Sequence, residues 1–243
     1  ALWLDDGIVQ EDGITDMVVA RYLQNVHERD EVAALASREA ERAAVAAAPK
    51  NNPDNHGNGE HLAANGTSNG NGNQKEQPPE DLDDPMARYR NRWGSREAEI
   101  VDVRFLDKNG NERLNLTTGE VSTIAIRYRA HQRIEQPMFG LAIHRSDGLQ
   151  INGPNNVTAK YDIPYIEGEG EIHYTIDVLP LLEGTYYLTV ALYDKAGTHA
   201  YDHHALMYRF KVYRGAIEER YGTVYLPARW RHVYPVVVED AAK

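Results

Sequence analysis

The chain has 243 residues, a formal net charge of −11 at pH 7 and 42% hydrophobic residues. This length allows one sizeable domain with accessory segments, and the hydrophobic content is sufficient for a core. The acidic charge argues against a general nucleic-acid binder and against a polybasic membrane anchor. Because the sequence contains no cysteine, disulfide scaffolds, thiolate zinc sites and cysteine nucleophiles are excluded.

The first part of the chain favours a hairpin followed by helix. Apolar residues flank the turn signal Asp5-Asp6-Gly7, and apolar residues recur at helical spacing from Val18 to Val26, so we expect a hairpin and a helix within residues 1–29. Residues 30–48 are rich in Ala, Glu and Arg and have few large apolar side chains, which predicts an exposed spacer helix. The chain starts with Ala and no apolar run approaches the ~18 residues of a membrane helix, so we expect a piece of a longer protein without a membrane span.

Residues 49–92 have the composition of a flexible linker. Asn and Gly dominate the stretch 51–73, and large apolar side chains are few. Such a segment buries too little apolar surface to offset the entropy lost on ordering. We therefore predict a disordered tether up to residue 92.

Residues 93–243 alternate apolar and polar side chains strand after strand. The period-two segments are 100–106, 121–129, 138–145, 171–178, 186–194 and 206–213. Leu206 is expected on the inward face of the last segment. Alternation of this kind is typical of half-buried antiparallel strands, and turn signals separate the segments. The predicted fold class is all-β, an antiparallel Ig-like or jelly-roll β-sandwich preceded by the helical segment and the linker.

Two groups of polar residues leave an enzymatic interpretation open. The run from His199 to His204 holds three histidines and an aspartate, which could ligate a metal, although loop histidines that hydrogen-bond locally explain it as well. Glu167, Glu169 and Glu171 could include a general acid/base pair, although Glu alternating with Gly is typical of a solvated turn. A metal-dependent or hydrolytic β-sandwich enzyme therefore stays an alternative, with no catalytic or metal-ligating residue assigned.

The outward faces of the predicted strands combine tyrosine with arginine and histidine. Tyrosine offers an apolar ring face to sugar C–H groups, and Arg and His donate hydrogen bonds to hydroxyl groups. This mixture suits carbohydrate binding. Any sandwich also needs polar outer faces, and tyrosine is a good strand residue, so the pattern alone does not decide.

The order of short motifs in the chain resembles a known family. Val103–Asp107, Phe139–Gly148, Ile151–Asn155 and Tyr201–His204, followed by Arg229-Trp230, are similar to the C-terminal domain of Wzt-type ATPases, the nucleotide-binding subunits of ABC exporters for O-antigen and related polysaccharides. The resemblance covers most of residues 98–230. Residues 2–23 are similar to the end of an ABC ATPase domain, downstream of its nucleotide motifs.

The resemblance implies a non-catalytic, cytoplasmic domain that binds the exported glycan and lies at the inner face of the plasma membrane. It implies a homodimer, with possible exchange of a terminal strand, and a membrane permease as partner; ATP is expected in the ATPase portion alone, and nucleic acid is not expected. A dimerisation module without sugar binding is the alternative. Residues 231–243 extend beyond the family's usual ending, and Val236–Val238 could form an added or swapped strand.

The alternation of inward and outward residues in the strands and the positions of the motifs together predict which side chains contact sugar. Tyrosines are expected to stack on the sugar rings, and the remaining residues to supply polar contacts. The predicted carbohydrate-binding residues are Arg127, His144, Asn152, Asn155, His173, Tyr187, Tyr193, Tyr201, His203 and Arg209.

Overall fold

The structure is a computed structural model that describes residues 1–47 and 84–234. Its N-terminal part is an antiparallel hairpin and one long helix: β1, β2 and α1 span Leu2–Asp5, Ile8–Asp12 and Thr15–Ala47. The turn residues Asp6 and Gly7 have φ angles of 49° and 76°, in the left-handed region that Gly and Asp tolerate. The predicted hairpin and helix are present, but the boundary predicted between residues 29 and 30 falls inside a continuous helix.

The remaining strands form two stacked sheets. In chain order they are β3 (Asn91–Trp93), β4 (Ala98–Leu106), β5 (Glu112–Arg113), β6 (Asn115–Thr117), β7 (Ser122–Glu135), β8 (Met138–Arg145), β9 (Gln150–Asn152), β10 (Tyr165–Ile176), β11 (Gly184–Tyr193) and β12 (Ala200–Tyr213). The four-stranded sheet has the antiparallel order β10–β7–β4–β5. The six-stranded sheet has the order β3–β12–β11–β8–β9, and β6 pairs in parallel with the end of β12. The predicted all-β, predominantly antiparallel sandwich is confirmed.

The core lies between the two sheets and is built by the inward side chains of the alternating strands. Phe105 of the four-stranded sheet packs against Phe210 of the six-stranded sheet, with ring centroids 4.7 Å apart. Tyr186 lies 5.7 Å from the same ring of Phe210. The inward face of β11 is buried along its whole length, at Tyr186, Leu188, Val190 and Leu192. The alternation in the sequence therefore determines which face of each strand is buried.

Strand β12 departs from the predicted alternation at Leu206. We expected Leu206 inward at the start of a strand, but it has a φ of 53° within a break of register between β12 and β11. Its backbone N–H donates to the Thr189 hydroxyl at 2.9 Å instead of to a strand carbonyl. Beyond this bulge β12 continues back to Ala200 and buries Asp202 and His204.

Residues 84–92 belong to the sandwich and not to the linker, which corrects the predicted boundary at residue 93. Asp84 and Met86 are buried, a 3₁₀ turn spans Ala87–Tyr89, and β3 pairs with β12. The local composition did not predict this because the contacts are made with strands about a hundred residues away. The predicted tether up to residue 83 and the predicted strand Val236–Val238 lie outside the described residues.

A membrane-spanning helix is not found within residues 1–47 or 84–234, since α1 is too polar for that role.

Candidate functional site

A row of paired residues crosses the outer face of the six-stranded sheet. Asn155 bridges to Gly140 on β8, Gly140 pairs with Ala191 on β11, Ala191 pairs with His203 on β12, and His203 pairs with Trp93 on β3. Directly opposed residues share a face, and neighbouring strands lie ~4.8 Å apart, so the row is about 19 Å long. Its centre consists of the small residues Gly140 and Ala191, and its far end is an aromatic group.

The aromatic group, called here the aromatic platform, consists of Trp93, His203 and Tyr193. The Trp93 and His203 rings stack with centroids 3.9 Å apart and planes 15° apart. Tyr193 meets His203 edge-on, and its hydroxyl lies 3.0 Å from His203 Nδ1. Trp93 remains 42% exposed, so a large flat ring is available to a ligand. Trp93 was not among the predicted site residues because it lies at the border of the predicted linker, although an isolated Trp before a glycine is a usable signal.

Burial keeps His203 neutral near pH 7. Burial, and secondarily the neighbouring His204, lower the pKa of His203 below its ordinary value. A neutral imidazole accepts a hydrogen bond at one nitrogen and donates one at the other. With Nδ1 next to the Tyr193 hydroxyl, the platform combines an apolar ring surface with hydrogen-bonding capacity, which is the combination that sugar recognition requires.

A buried carboxylate fixes the backbone beneath the platform. Asp202, next to His203, has no exposed surface and accepts hydrogen bonds from Arg92 at 2.7 and 3.0 Å and from Arg96 at 2.6 Å. It also accepts the backbone N–H of Ile100 in the opposite sheet at 2.8 Å. Burial alone would raise the pKa of Asp202, but the hydrogen bonds from His204, Arg92 and Ile100 hold it far below its ordinary value. The ionised carboxylate therefore ties β3, β4 and β12 together.

Three predicted residues form a second row on the same face, and this row is covered. His144, Tyr187 and Arg209 are cross-strand neighbours on β8, β11 and β12. Tyr187 was predicted to stack on sugar, but it is 0% exposed because the segment starting at Asp84 lies over it. Its hydroxyl donates to Asp84 Oδ1 at 2.6 Å. In this conformation Tyr187 cannot present its ring to a ligand, which corrects the expectation.

The other two members of that row are only partly accessible. Burial lowers the pKa of His144, whose Nε2 lies 3.3 Å from the Thr189 hydroxyl. The Nε of Arg209 is buried and has no hydrogen-bond partner among residues 1–47 and 84–234. Both side chains therefore lie on the same face as the row of paired residues but outside it.

A pocket of about 120 Å³ opens at the edge of the sandwich, beside Asn155. We call it the edge pocket; β7, β8, β10 and the loop after β9 line it. Its apolar lining includes Ile126, Phe139, Leu141, Pro154, Ala159, Tyr161 and Ile172, and the predicted residues Asn155 and His173 also line it. The polar groups near it already hold the loop. Asn156 accepts the Phe139 N–H and donates to Pro137 and Tyr161 carbonyls, and Asn155 Oδ1 accepts the Thr158 N–H at 2.7 Å. The pocket therefore suits a small apolar group.

The remaining predicted residues lie apart from the row of paired residues, although His173 reaches the edge pocket. On the outer face of the four-stranded sheet, Arg127 is 3.9 Å from Glu169 and the His173 ring bonds Glu171 at 2.6 Å. Asn152 Oδ1 accepts the N–H of its own neighbour, and Tyr201 packs against the core. The fold brings together Tyr193, His203 and, across the row, Asn155, and it places His173 with Asn155 at the edge pocket, but it does not join all ten residues into one site.

The two polar clusters that leave an enzymatic interpretation open are engaged in local hydrogen bonds. Ser95 Oγ and Glu97 Oε2 both approach the same His199 nitrogen, Nε2, at 3.1 and 2.7 Å, whereas a catalytic triad uses the two ring nitrogens separately. Hydrogen bonds from His173 and Arg104 outweigh burial and lower the pKa of Glu171, which disfavours it as a general acid. Within the described parts of the chain, no group of three or more His, Asp or Glu side chains is placed to hold a metal ion.

Comparison with known proteins identifies one family. The model of the Wzt C-terminal domain family matches residues 89–226, more than half of the chain. The chain is similar to the crystal structure of the C-terminal domain of Wzt at 17% sequence identity and a TM-score of 0.52, over 59% of this chain and 89% of that one. At this identity the likeness shows the fold alone. No curated protein matches the sequence.

Two further structural similarities are weaker. A Niemann-Pick type C2 protein from the Japanese carpenter ant has 9% identity and a TM-score of 0.35, over 52% of this chain and 98% of that one. A β-glucuronidase from Parabacteroides merdae has 10% identity and a TM-score of 0.29, over 48% of this chain and 14% of that one. Neither score supports an argument about function.

Proposed function

The chain belongs to the Wzt C-terminal domain family, and from this premise we propose that its sandwich is a non-catalytic carbohydrate-recognition domain. Its ligand is the glycan moved by a polysaccharide-exporting ABC transporter, such as an O-antigen exporter. In this role the parent ATPase subunit works with a membrane permease at the inner face of the plasma membrane. Binding of the glycan to the sandwich links recognition of the polymer to its transport.

The observation that carries this proposal is the aromatic platform. A Trp ring that stays 42% exposed while stacked on a histidine is held rigid, so it loses little conformational entropy when a sugar ring lies on it. The row of cross-strand residues runs from the platform to Asn155, so a polymer that contacts the platform can extend along the same face.

Titration with the glycan tests the platform directly. Calorimetry with the host polysaccharide should show binding that Trp93→Ala weakens by roughly 30-fold, the effect of losing a ~2 kcal/mol aromatic hot spot. Tyr193→Phe, which keeps the ring and removes the hydroxyl, should cost less. Tyr221→Ala is the matched control because Tyr221 is 89% exposed and outside both sheets. Absence of binding at millimolar glycan, or equal losses for Trp93→Ala and Tyr221→Ala, would refute the proposal.

The edge pocket provides a second contact for the same glycan. An empty apolar cavity of about 150 Å³ can hold benzene, so the pocket of about 120 Å³ accommodates a small apolar part of a sugar. Ala159 is exposed at its mouth, so Ala159→Phe should close it without disturbing the core. We expect a loss of glycan affinity of several-fold, while Val157→Phe in the same loop leaves affinity unchanged. Equal effects of the two variants on binding would exclude the pocket from the site.

A second candidate function, self-association, is favoured by the C-terminal segment. Leu226, Trp230, Val233 and Tyr234 are between 67% and 104% exposed, although such side chains are usually buried in interfaces when they cluster. We propose that this segment joins two copies of the chain, as a transporter with two ATPase subunits requires. Sedimentation should show a dimer that becomes a monomer when the chain ends at residue 225. A truncated chain that remains dimeric would contradict this assignment.

A further inference from the structure

Helix α1 presents one face to the sandwich, although its composition predicts an exposed spacer. Glu31 is only 5% exposed, and Leu35, Arg38 and Arg42 are half-buried. Their spacing of four, three and four residues places them on one side of the helix. The residues described between them are exposed. This side of the helix therefore faces the sandwich.

Glu31 inserts its carboxylate into the corner between β5 and β6. Its Oε1 accepts the backbone N–H of Leu114 at 2.5 Å and that of Asn115 at 2.9 Å, and Arg113 lies 3.7 Å from Oε2. A buried carboxylate is stable only when donors replace its hydration, and two backbone N–H groups with a guanidinium meet that condition. The corner is thus chemically matched to an acidic side chain.

The other end of the same face carries the opposite charge. Arg42 donates to both oxygens of Glu112 at 2.8 and 3.1 Å and lies 3.0 Å from Asp102, and Arg38 is 4.0 Å from Glu112. A helix docked in the reverse direction would place Glu31 against Glu112. The charge order therefore fixes the direction of the helix as well as its position.

The hairpin contacts the same helix at Arg29, two positions before Glu31 in the sequence. Arg29 donates to both carboxylate oxygens of Asp5 in β1, at 2.5 and 3.3 Å, and Trp3 packs edge-on against Tyr22 at 5.8 Å. The hairpin and the sandwich thus contact adjacent positions of one rigid helix. Residues 48–83 connect α1 to the sandwich, and a chain of that length reaches up to about 120 Å, so contacts and not the connection determine where α1 lies.

We propose that the β5–β6 corner is a docking site for helix α1 of the same chain, and that docking makes the hairpin and the sandwich one mechanical unit. A displacement of the hairpin is then passed to the sandwich through Glu31 and Arg42. If the hairpin ends an ATPase domain, this contact provides a route between that domain and the sandwich. The inference does not depend on whether the sandwich binds glycan.

Because the sequence contains no cysteine, a thiol-reactive label attaches only at the cysteines that are introduced for the test. Gln10→Cys on β2 and Lys108→Cys in the β4–β5 turn are exposed positions for two nitroxide labels, and dilution with unlabelled chain restricts the measured distances to one molecule. Pulsed electron resonance should give one narrow distance distribution. Glu31→Ala should broaden it at least about twofold, and Arg42→Ala should do the same from the other end. Glu39→Ala, on the exposed side of α1, is the matched control.

Amide exchange provides a second measurement at the docking site itself. The Leu114 and Asn115 N–H groups should exchange about tenfold faster in Glu31→Ala and unchanged in Glu39→Ala, because the Glu31 carboxylate accepts hydrogen bonds from both. A broad distance distribution in the labelled parent would overturn the proposal. So would unchanged distances and exchange rates in Glu31→Ala, or a narrow distance that disappears on dilution with unlabelled chain.

Discussion

Replacing Asp202 by Ala should destabilise the sandwich because it removes several hydrogen bonds at once. The substitution removes the acceptor of the buried Ile100 N–H, which costs ~1–3 kcal/mol, and leaves Arg92 and Arg96 without their shared carboxylate. Both arginines are about a third exposed and can turn towards water, so the charge contribution is smaller than in a fully buried pair. We expect a total loss of about 3 kcal/mol.

The loss is measurable as a shift in melting temperature. For a protein of this size about 3 kcal/mol corresponds to ~6–12 °C in thermal unfolding. Asp147→Ala is the matched control, because Asp147 forms an exposed ion pair with Arg145 at 2.5 Å, and its melting temperature should stay that of the parent. Since Trp93 is attached to Arg92, glycan affinity should fall together with stability in Asp202→Ala.

The pH dependence supplies an independent check. The pKa of Asp202 is lowered in the folded protein, so its stabilisation is complete above the unfolded-state pKa of ~3.9 and is lost as the pH falls below it. The difference in melting temperature between parent and Asp202→Ala should therefore be constant from pH 7 to about 5 and shrink below pH 4. A difference under about 2 °C at pH 7, or one that persists unchanged at pH 2, would show that the carboxylate does not hold the strands as described.

Three further predictions concern the surroundings of the platform. Gly94→Ala should lower stability strongly in denaturant titration, because a Cβ would lie 2.2 Å from the Tyr201 carbonyl oxygen, whereas Gly110→Ala, with open space at its Cβ, should cost only about 1 kcal/mol. Tyr187→Phe should cost ~1.5–3 kcal/mol in the same assay because the buried Asp84 loses its hydroxyl donor, and an unchanged midpoint would contradict that. Because burial lowers the pKa of His203, glycan affinity measured by calorimetry should be flat from pH 8 down to the ordinary imidazole pKa of ~6.5 and fall only at lower pH; a rise on acidification would contradict this.

The strands of the sandwich could be predicted from the sequence because their signal is local. A strand buried on one face needs an apolar residue at every second position, whatever its partners are. The segment 186–194 shows this alternation, and β11 buries the predicted face from Tyr186 to Leu192. Tyr193 was likewise placed on the outer face of its strand, where it contacts His203, a residue that was nominated by its motif and lies in a strand longer than the one predicted. The residues of the glycan site themselves stay predictions.

What covers each outer face was decided by contacts between distant parts of the chain. The alternation along β11 places both Tyr187 and Tyr193 on the outward face. In the structure the segment from Asp84 covers Tyr187, whereas Tyr193 contacts His203, the ring on which Trp93 stacks. Tyr187 and Asp84 are 103 positions apart, so no local pattern encodes their hydrogen bond. The same holds for Glu31. The composition of its helix predicts exposure to solvent, but the N–H groups that donate to its carboxylate belong to the β5–β6 corner.

The sequence by itself determined the sandwich and the inward and outward faces of its strands, because burial of alternate side chains is a property of each strand alone. The tertiary structure decided which outward residues are exposed, that Trp93 stacks on His203, and that α1 contacts the sandwich. Those outcomes depend on desolvated hydrogen bonds and ion pairs, whose stability comes from donors and acceptors that the fold brings together from remote positions.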